Sequence, residues 1–146
     1  MENRQIFIDT GAWFAVADAS DQYHQQAIQV YPGLFKENWH LATTNLVIAE
    51  TYILIRRAIG HTPAMTFLKN IAESPRVEKI YSDPILEQDA EHILGSYQDQ
   101  DLSYVDAVSF AAMTRNGIDR AFSFDRHFIT AGYDVIPKLS LEEIIP

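Results

Sequence analysis

The sequence predicts an α/β fold, a three-layer α/β/α sandwich of Rossmann type with a mainly parallel sheet of about five strands. Short apolar runs alternate with longer helical patterns along the chain, and this alternation indicates parallel strands with helices on both faces of the sheet. The first run, residues 5–9, is continuously apolar until its closing acid, which is typical of a strand covered on both sides. Right-handed crossovers restrict the topology further.

The predicted strands are short: residues 5–9, 41–43, 77–81, 120–124 and 134–136. The predicted helices lie between them: residues 11–17, 21–36, 45–59, 64–73, 83–97 and 104–115. Asp21 is a suitable N-cap for the second helix, because its side chain can accept a hydrogen bond from a free backbone N–H. Gly60 ends the third helix, and Pro63 suits the first turn of the fourth.

The composition fits one globular domain over residues 1–146. A chain of 146 residues can form a substantial core, and 47% apolar with 21% charged residues argues against disorder. No apolar run approaches the roughly 20 residues of a membrane-spanning helix, and the N-terminus lacks a signal-peptide pattern. Cysteine is absent, which excludes disulfides and thiolate metal sites. A cytoplasmic location is the simplest interpretation.

The net charge of −9 argues against a broad basic surface for nucleic acid. Nucleic acid is still a possible substrate, because a cation bound among the acids would reverse the local field. The basic residues available for phosphate contacts are Arg56, Arg57, Lys69, Arg115 and Arg126.

Four acids occupy unusual positions: Asp9, Glu50, Asp106 and Asp125. Asp9 and Asp125 each close an apolar strand pattern, and Asp106 opens a helix. In open α/β sheets, ligands bind beyond the carboxyl ends of the strands, where the strand order reverses. If the first and fourth strands are neighbours there, the four carboxylates would converge and require a cation. Oxygen ligands suit Mg²⁺ or Mn²⁺, so the pattern indicates a metal-dependent hydrolase.

Three of these acids also have structural explanations. Asp9 could cap the helix that follows it, Asp125 could cap residues 126–129, and Ser103 with Asp106 matches a capping box. Capping and metal binding are compatible.

Glu50 is different because it lies on the predicted apolar face of its helix. Its neighbours on that face are Leu46, Val47, Ile53 and Leu54. A buried carboxylate is costly unless it is paired or metal-bound, and Arg57, two turns away, is too distant for a good local pair.

Other residues give weaker signals. The histidines lack zinc-site spacing, and His127 is interpreted as a surface residue that could touch a phosphate. No dinucleotide, P-loop or nucleophile-elbow motif is present. The aromatic residues interpreted as core, with one exposed ring near the site able to stack on a base, are Trp13, Phe14, Phe124 and Phe128.

Four motifs in order carry a family resemblance: FIDTGAW at residues 7–13, TNLVIAET at 44–51, LSYVDA at 102–107 and FSFDRHF at 122–128. Together they resemble PIN-domain ribonucleases, and among these the VapC type, the toxin half of type II toxin–antitoxin pairs. The resemblance implies a PIN-like α/β/α fold, an acidic pocket for Mg²⁺ or Mn²⁺, an RNA substrate, a cognate antitoxin and a homodimer.

The resemblance also implies roles for individual residues. Asp9, Asp106 and Asp125 are expected to be direct or water-mediated metal ligands, and Glu50 is expected to be a ligand or to orient the attacking water. Thr10 matches the hydroxyl residue after the first acid, and Ser123 stands where Thr is more usual. Asp101 is interpreted as a solvated loop acid.

Two alternative functions follow from the same residues. One is a catalytically inactive PIN-like binding module, which the presence of all four acids argues against. The other is a phosphatase with Asp9 as its nucleophile, as in haloacid dehalogenase-like enzymes. Those enzymes resemble Asp-x-Asp-x-Thr after the first strand, and Gly11 stands where the second acid is needed.

Overall fold

The computed structural model describes residues 4–138. Within this range the strands are β1 (Gln5–Ile8), β2 (His40–Thr44), β3 (Val77–Ile80), β4 (Arg120–Phe122) and β5 (Asp134–Ile136). The helices of the same range are α1 (Thr10–Ala17), α2 (His24–Lys36), α3 (Asn45–Ile59), α4 (His61–Glu73), α5 (Pro84–Ser96), α6 (Tyr104–Arg115) and α7 (Arg126–Thr130). All strand pairs are parallel, in the order β3-β2-β1-β4-β5. The predicted α/β fold with a five-stranded parallel sheet is confirmed.

The strand order reverses between β1 and β4, which are neighbours in the sheet. Phe7 pairs with Ala121, and Ile8 pairs with Phe122. The backbone N–H of Asp9 then donates to the carbonyl of Phe122 at 3.1 Å. The carboxyl ends of β1 and β4 therefore meet at the crevice where such sheets bind ligands, as the sequence predicted.

Helices cover the sheet on both faces. Right-handed crossovers place α1 to α4 on one face and α5 to α7 on the other, and α1 packs against α2 and α3 while α5 packs against α6. Ile6, Phe7 and Ile8 are completely buried. This double covering explains why the first strand is a continuous apolar run. No helix among residues 4–138 is both long and apolar enough to cross a membrane.

Side-chain caps fix the starts of several helices as predicted. The Ser103 hydroxyl accepts a hydrogen bond from the Asp106 N–H at 3.0 Å at the start of α6. The Asp125 carboxylate accepts one from the His127 N–H at 2.9 Å at the start of α7. Asp9 is the N-cap residue of α1 by position, but its side chain makes no capping hydrogen bond. Its carboxylate instead accepts a hydrogen bond from the Ser123 hydroxyl at 3.0 Å.

Three predicted boundaries are wrong by more than one residue. The fourth helix begins at His61 instead of residue 64, directly after Gly60. The second helix begins at His24 instead of Asp21, because the Asp21 carboxylate accepts a hydrogen bond from the Tyr23 N–H at 3.0 Å and closes a turn before the helix. The fourth strand ends at Phe122 instead of residue 124. There the Ser123 hydroxyl accepts a hydrogen bond from the Asp125 N–H at 3.0 Å and bends the chain.

Candidate active site

A cleft of about 380 Å³ opens at the carboxyl ends of β1 and β4. All four predicted acids line it, together with Thr10, Ser103 and several apolar side chains. Asp9 follows β1, and Asp125 follows β4. Glu50 lies in α3, and Asp106 lies in α6. The fold thus gathers residues that are distant in the sequence into one acidic crevice.

Asp9 is the most buried acid of the cleft, with 5% of its surface exposed. Burial, and then repulsion from Asp106 and Asp125, raises its pKa from 3.8 to about 8. Hydrogen bonds from the Thr10 backbone and the Ser123 hydroxyl oppose this rise. The Ser123 hydroxyl donates to Asp9 Oδ2 at 3.0 Å. Near neutral pH this carboxyl is therefore mostly protonated in the metal-free protein, and a positive charge beside it would favour its ionised form.

Asp106 and Asp125 form a compact group with His127. Each residue offers one ligand atom, and these atoms lie within 4.8 Å of one another. Burial, and then the charge of Asp125, raises the pKa of Asp106 to about 6, while hydrogen bonds from Ser103 and the charge of His127 lower it. This group has the geometry and the chemistry to hold a cation.

The interpretation of His127 as a surface residue is wrong. Its side chain is only 15% exposed, and its Nδ1 lies 3.0 Å from Asp125 Oδ1 and 3.9 Å from Asp106 Oδ2. Neither contact has the geometry of a hydrogen bond, so Nδ1 is buried without a hydrogen-bond partner. The sequence spacing Asp125-x-His127 could have indicated this position. The side chain of an N-cap acid lies close to the residue two positions later.

Glu50 lines the cleft, but the predicted apolar face of its helix is displaced. The buried residues of α3 are Val47, Ile48, Thr51 and Ile55. Glu50 is half-buried, and Leu54, one turn later, is 37% exposed and also lines the cleft. The stripe that carries Glu50 therefore borders the open cleft and not the core. Its carboxylate reaches the site without the cost of full burial.

Comparison with known proteins identifies the family of this chain. The model of the PIN domain matches residues 6–132. The chain belongs to the PIN-domain family.

Two curated relatives are both described as 23S rRNA-specific endonuclease VapC20, from two strains of Mycobacterium tuberculosis. Each is 34% identical over 134 residues, which cover 88% of this chain and 95% of the relative. A crystal structure of Mycobacterium tuberculosis VapC20, described as a sarcin-ricin loop cleaving toxin, matches with a TM-score of 0.78 and 33% identity. That match covers 88% of this chain and 95% of the solved one. The predicted relationship to VapC-type PIN domains is confirmed.

The residues of this PIN domain fit a divalent cation, which nucleases of the family use. Two buried polar atoms at the site, Thr10 Oγ1 and His127 Nδ1, have no hydrogen-bond partner among the described residues. Buried polar groups without partners are rare in folded proteins, so each calls for an explanation. A bound cation would offset the repulsion among the carboxylates, and its waters would provide partners for Thr10 Oγ1 and for Nδ1 of a neutral His127. Oxygen-rich ligand sets favour hard divalent ions.

The aromatic residues of the PIN domain divide into two groups. Trp13 and Phe128 are buried, as predicted. Phe14 and Phe124 are only half-buried and line the acidic cleft, so they are not buried core residues, although one ring near the site was predicted. Phe14 lies in α1 and Phe124 in the segment after β4. Asp101 is exposed in a loop and does not line the cleft, as predicted.

The basic residues named from the sequence do not converge on the site. Arg115 forms a salt bridge with Asp83 at 2.7 Å, and Arg56 donates a hydrogen bond to the Tyr52 hydroxyl at 2.9 Å. No Lys or Arg is among the residues that line the cleft. The described part of the chain thus presents an acidic cleft without a basic rim.

Proposed function

We propose that this PIN domain is a metal-dependent endoribonuclease of the VapC type, which hydrolyses RNA phosphodiester bonds with Mg²⁺ or Mn²⁺. The observation that carries the proposal is the convergence of Asp9, Glu50, Asp106 and Asp125 on one crevice at the reversal of strand order. The relationship to a ribosomal RNA endonuclease supports RNA as the substrate.

The proposed roles follow from the position of each side chain. Asp9, Asp106 and Asp125 hold the cation directly or through water, and Glu50 is either a further ligand or the group that orients the attacking water. Ser123 keeps Asp9 in place through its hydrogen bond to Oδ2. Thr10, whose hydroxyl is buried without a hydrogen-bond partner, supports a water or an oxygen of the substrate.

The reaction adds water across one phosphodiester bond. A bound divalent cation makes water more acidic and stabilises negative charge that develops on phosphate oxygens. Glu50 borders the open cleft and can accept a proton from the attacking water. A new P–O bond forms to the water oxygen, the bond from phosphorus to the 3′ oxygen breaks, and a proton goes to the leaving oxygen. The products carry a 5′-phosphate and a 3′-hydroxyl.

The family relationship also supports a partner protein. We propose that a cognate antitoxin controls the enzyme and that the enzyme is a homodimer. The 23S rRNA named for the relative is the first target to test. A cytoplasmic location stays a prediction from the sequence.

The decisive experiment compares purified wild type with Asp9→Asn on total cellular RNA, in Mn²⁺ and in EDTA, and maps new 5′ ends. We expect discrete cuts that require metal and vanish in the variant. Asp119→Asn is the matched control, because Asp119 is an exposed acid that precedes β4, at the opposite end of that strand from the cleft. It makes the same change of charge away from the site.

Each other outcome has a definite meaning. Cuts that persist in Asp9→Asn point to a contaminating nuclease. Absence of cuts in the wild type, together with metal binding by titration, favours an inactive binding module. Loss of cleavage in Asp119→Asn as well would show that the change acts through overall charge, and the assignment of Asp9 would then fail.

A further inference from the structure

Two aromatic rings form a parallel stack inside the acidic cleft. The ring centroids of Tyr23 and Phe124 are 4.5 Å apart, and the ring planes differ by 4°. Both residues line the same cleft as Asp9 and Asp125, and both are only half-buried. Resting on the proposed ribonuclease function, we propose that this pair is a stacking platform that binds one unpaired nucleobase next to the scissile phosphate.

The Tyr23 side of the platform is held by the short connection between α1 and α2. The Asp18 carboxylate accepts hydrogen bonds from the Ser20 N–H at 2.9 Å and the Ser20 hydroxyl at 2.7 Å. The Asp21 carboxylate accepts one from the Tyr23 N–H at 3.0 Å. Nδ1 of His24 lies 2.6 Å from the carbonyl of Ala15. These local bonds hold the backbone on both sides of Tyr23, and its ring is held against Phe124 by the stack itself.

The Phe124 side is held by the acidic site itself. Ser123, the preceding residue, bonds both Asp9 Oδ2 and the Asp125 N–H at 3.0 Å. The completely buried ring of Phe122 contacts Phe124 edge-on, with centroids 5.9 Å apart. The backbone between these contacts carries Phe124 directly beside an acid of the site. A base on this ring pair would lie beside the bond to be cut.

The charge of the cleft explains why such a platform is needed. Among residues 4–138 the cleft is lined by five acids, which are Asp9, Asp21, Glu50, Asp106 and Asp125, and by no Lys or Arg. Its aromatic and aliphatic side chains are Phe14, Tyr23, Leu54 and Phe124, and Gln22 adds a neutral polar one. Phosphate contacts by basic side chains supply most of the affinity in many nucleic-acid complexes. Within the cleft, stacking is therefore a source of affinity for RNA that does not depend on basic side chains.

The platform also restricts the substrate. Base–aromatic stacking tolerates any base, because every base has a π face. It requires, however, that the base leave its helical stack, which single strands, bulges and loops permit. The substrate class is therefore RNA with an unpaired nucleotide at the cut, chosen by its shape more than by the identity of the base.

The test combines protein variants with altered substrates. A short single-stranded RNA that spans a mapped cut receives one abasic nucleotide at a time, and kcat and KM are measured in Mn²⁺. We expect one position beside the cut to raise KM by roughly 5- to 150-fold, the effect of losing one stacked base. Tyr23→Leu should raise KM for the unmodified RNA by a similar factor with a smaller change in kcat. Tyr23→Phe should restore the wild-type values.

The combination of both changes separates recognition from structure. If Tyr23 stacks on the base, the KM of Tyr23→Leu should be nearly the same for the abasic RNA as for the intact RNA. Tyr31→Leu is the matched control, because Tyr31 is a partly buried tyrosine with aromatic contacts outside the cleft. An unchanged KM in Tyr23→Leu, or penalties that simply multiply, would overturn the platform.

A binding measurement keeps this inference distinct from the proposed function. Fluorescence anisotropy of the same RNA, or of mixed-sequence RNA if no cut is found, is recorded with Asp9→Asn and with Asp9→Asn/Tyr23→Leu. Weaker binding in the double variant supports the platform even if the wild type proves inactive. Equal binding, or no binding by either, overturns it. Cleavage by the wild type with unaltered binding in the double variant would overturn the platform alone.

Discussion

Asp9 shows most directly how burial and neighbouring acids act on a single residue of this PIN domain. An exposed aspartate ionises near 3.8, whereas burial and the neighbouring acids raise the pKa of Asp9 to about 8. The folded, metal-free protein therefore keeps a proton that the unfolded chain releases across this range. Stability falls as the pH rises wherever the folded state binds more protons. Asp106, with a pKa of about 6, adds to the effect over a narrower range.

We expect the thermal midpoint of the metal-free wild type to fall as the pH is raised from about 4 to about 8. Asp9→Asn should lose less, because asparagine does not ionise. The difference in the free energy of unfolding should reach several kcal/mol at the upper end, since a tenfold change in proton affinity is worth about 1.4 kcal/mol. Thermal unfolding in EDTA at several pH values measures it. Identical pH profiles would contradict the assigned pKa of Asp9.

Added metal should restore the stability that the metal-free protein loses as the pH rises. At a hundredfold excess over its Kd, Mn²⁺ should add about 2.7 kcal/mol, or roughly 10 °C in the midpoint. At one fixed Mn²⁺ concentration the gain should be larger near pH 8 than near pH 5, because protons compete with the cation for the carboxylates and raise its Kd. The Asp9→Asn variant should gain much less. A wild-type midpoint that does not respond to either Mg²⁺ or Mn²⁺ would contradict the site.

Single residues also show how far the sequence predicted the site. Asp9 and Asp125 were identifiable because each ends an apolar strand pattern, and Glu50 because it interrupts an apolar helix pattern. His127 was identified but wrongly placed at the surface, because its position depends on the first turn of a five-residue helix whose packing no periodicity reports. Tyr23 was missed for a similar reason. Its ring reaches the cleft only because a local turn delays the start of α2.

At the scale of the element, α6 links helix capping to the chemistry of the site. Ser103 caps the helix by accepting a hydrogen bond from the Asp106 N–H, and hydrogen bonds from Ser103 also lower the pKa of Asp106. The predicted metal ligand Asp106 is therefore also a member of the predicted capping box, together with Ser103. Structural and functional interpretations of Asp106 did not compete.

Ser103→Ala should change both properties together. Loss of the cap should lower the free energy of unfolding by about 1 kcal/mol and the midpoint by roughly 3 °C. The pKa of Asp106 should rise, so a higher metal concentration should be needed for the same stabilisation near pH 6. Ser103→Thr is the control, because threonine also caps. Thermal unfolding with and without Mn²⁺ measures both effects, and a variant with wild-type stability and metal response would contradict the coupling.

Most elements were predictable because they depend on local patterns. Apolar runs predicted the five strands, and the capping residues Ser103, Asp83 and Asp125 fixed the starts of their helices. The errors occur where tertiary contacts decide. The apolar face of α3 was displaced, because a sequence pattern does not distinguish a buried stripe from one that borders a cleft. Glu50 and Leu54 belong to the second kind.

At the scale of the whole molecule, the reversal of strand order decides where the chemistry lies. β1 is the central strand, and it pairs with β2 on one side and β4 on the other. Residues 9 and 125 are far apart in the sequence and adjacent in the fold for this reason. Strand alternation predicted the parallel sheet, and the resemblance of four motifs predicted the family. The distribution of charge around the cleft followed from neither.

That distribution leads to a prediction about salt. The chain has a net charge of −9, and none of the described residues that line the cleft is Lys or Arg. Binding to single-stranded nucleic acid loses about 0.7 in the slope of log affinity against log salt for each phosphate that a basic group neutralises. We expect a slope no steeper than about −1.5 for this protein, the value for about two such contacts. Anisotropy titrations of the Asp9→Asn variant at several NaCl concentrations and fixed Mn²⁺ measure it.

A designed cation tests the reason for this shallow slope. Gln22 is exposed and lines the cleft, so Gln22→Lys should steepen the slope by roughly 0.7 and tighten binding at low salt. Gln26→Lys, on an exposed position of α2 outside the cleft, should change the slope less. If the slope of Asp9→Asn without the added lysine is instead about −4, exposed cations such as Arg57 and Arg126 make several phosphate contacts. The RNA would then extend well beyond the cleft, and stacking at the site would supply only part of its affinity.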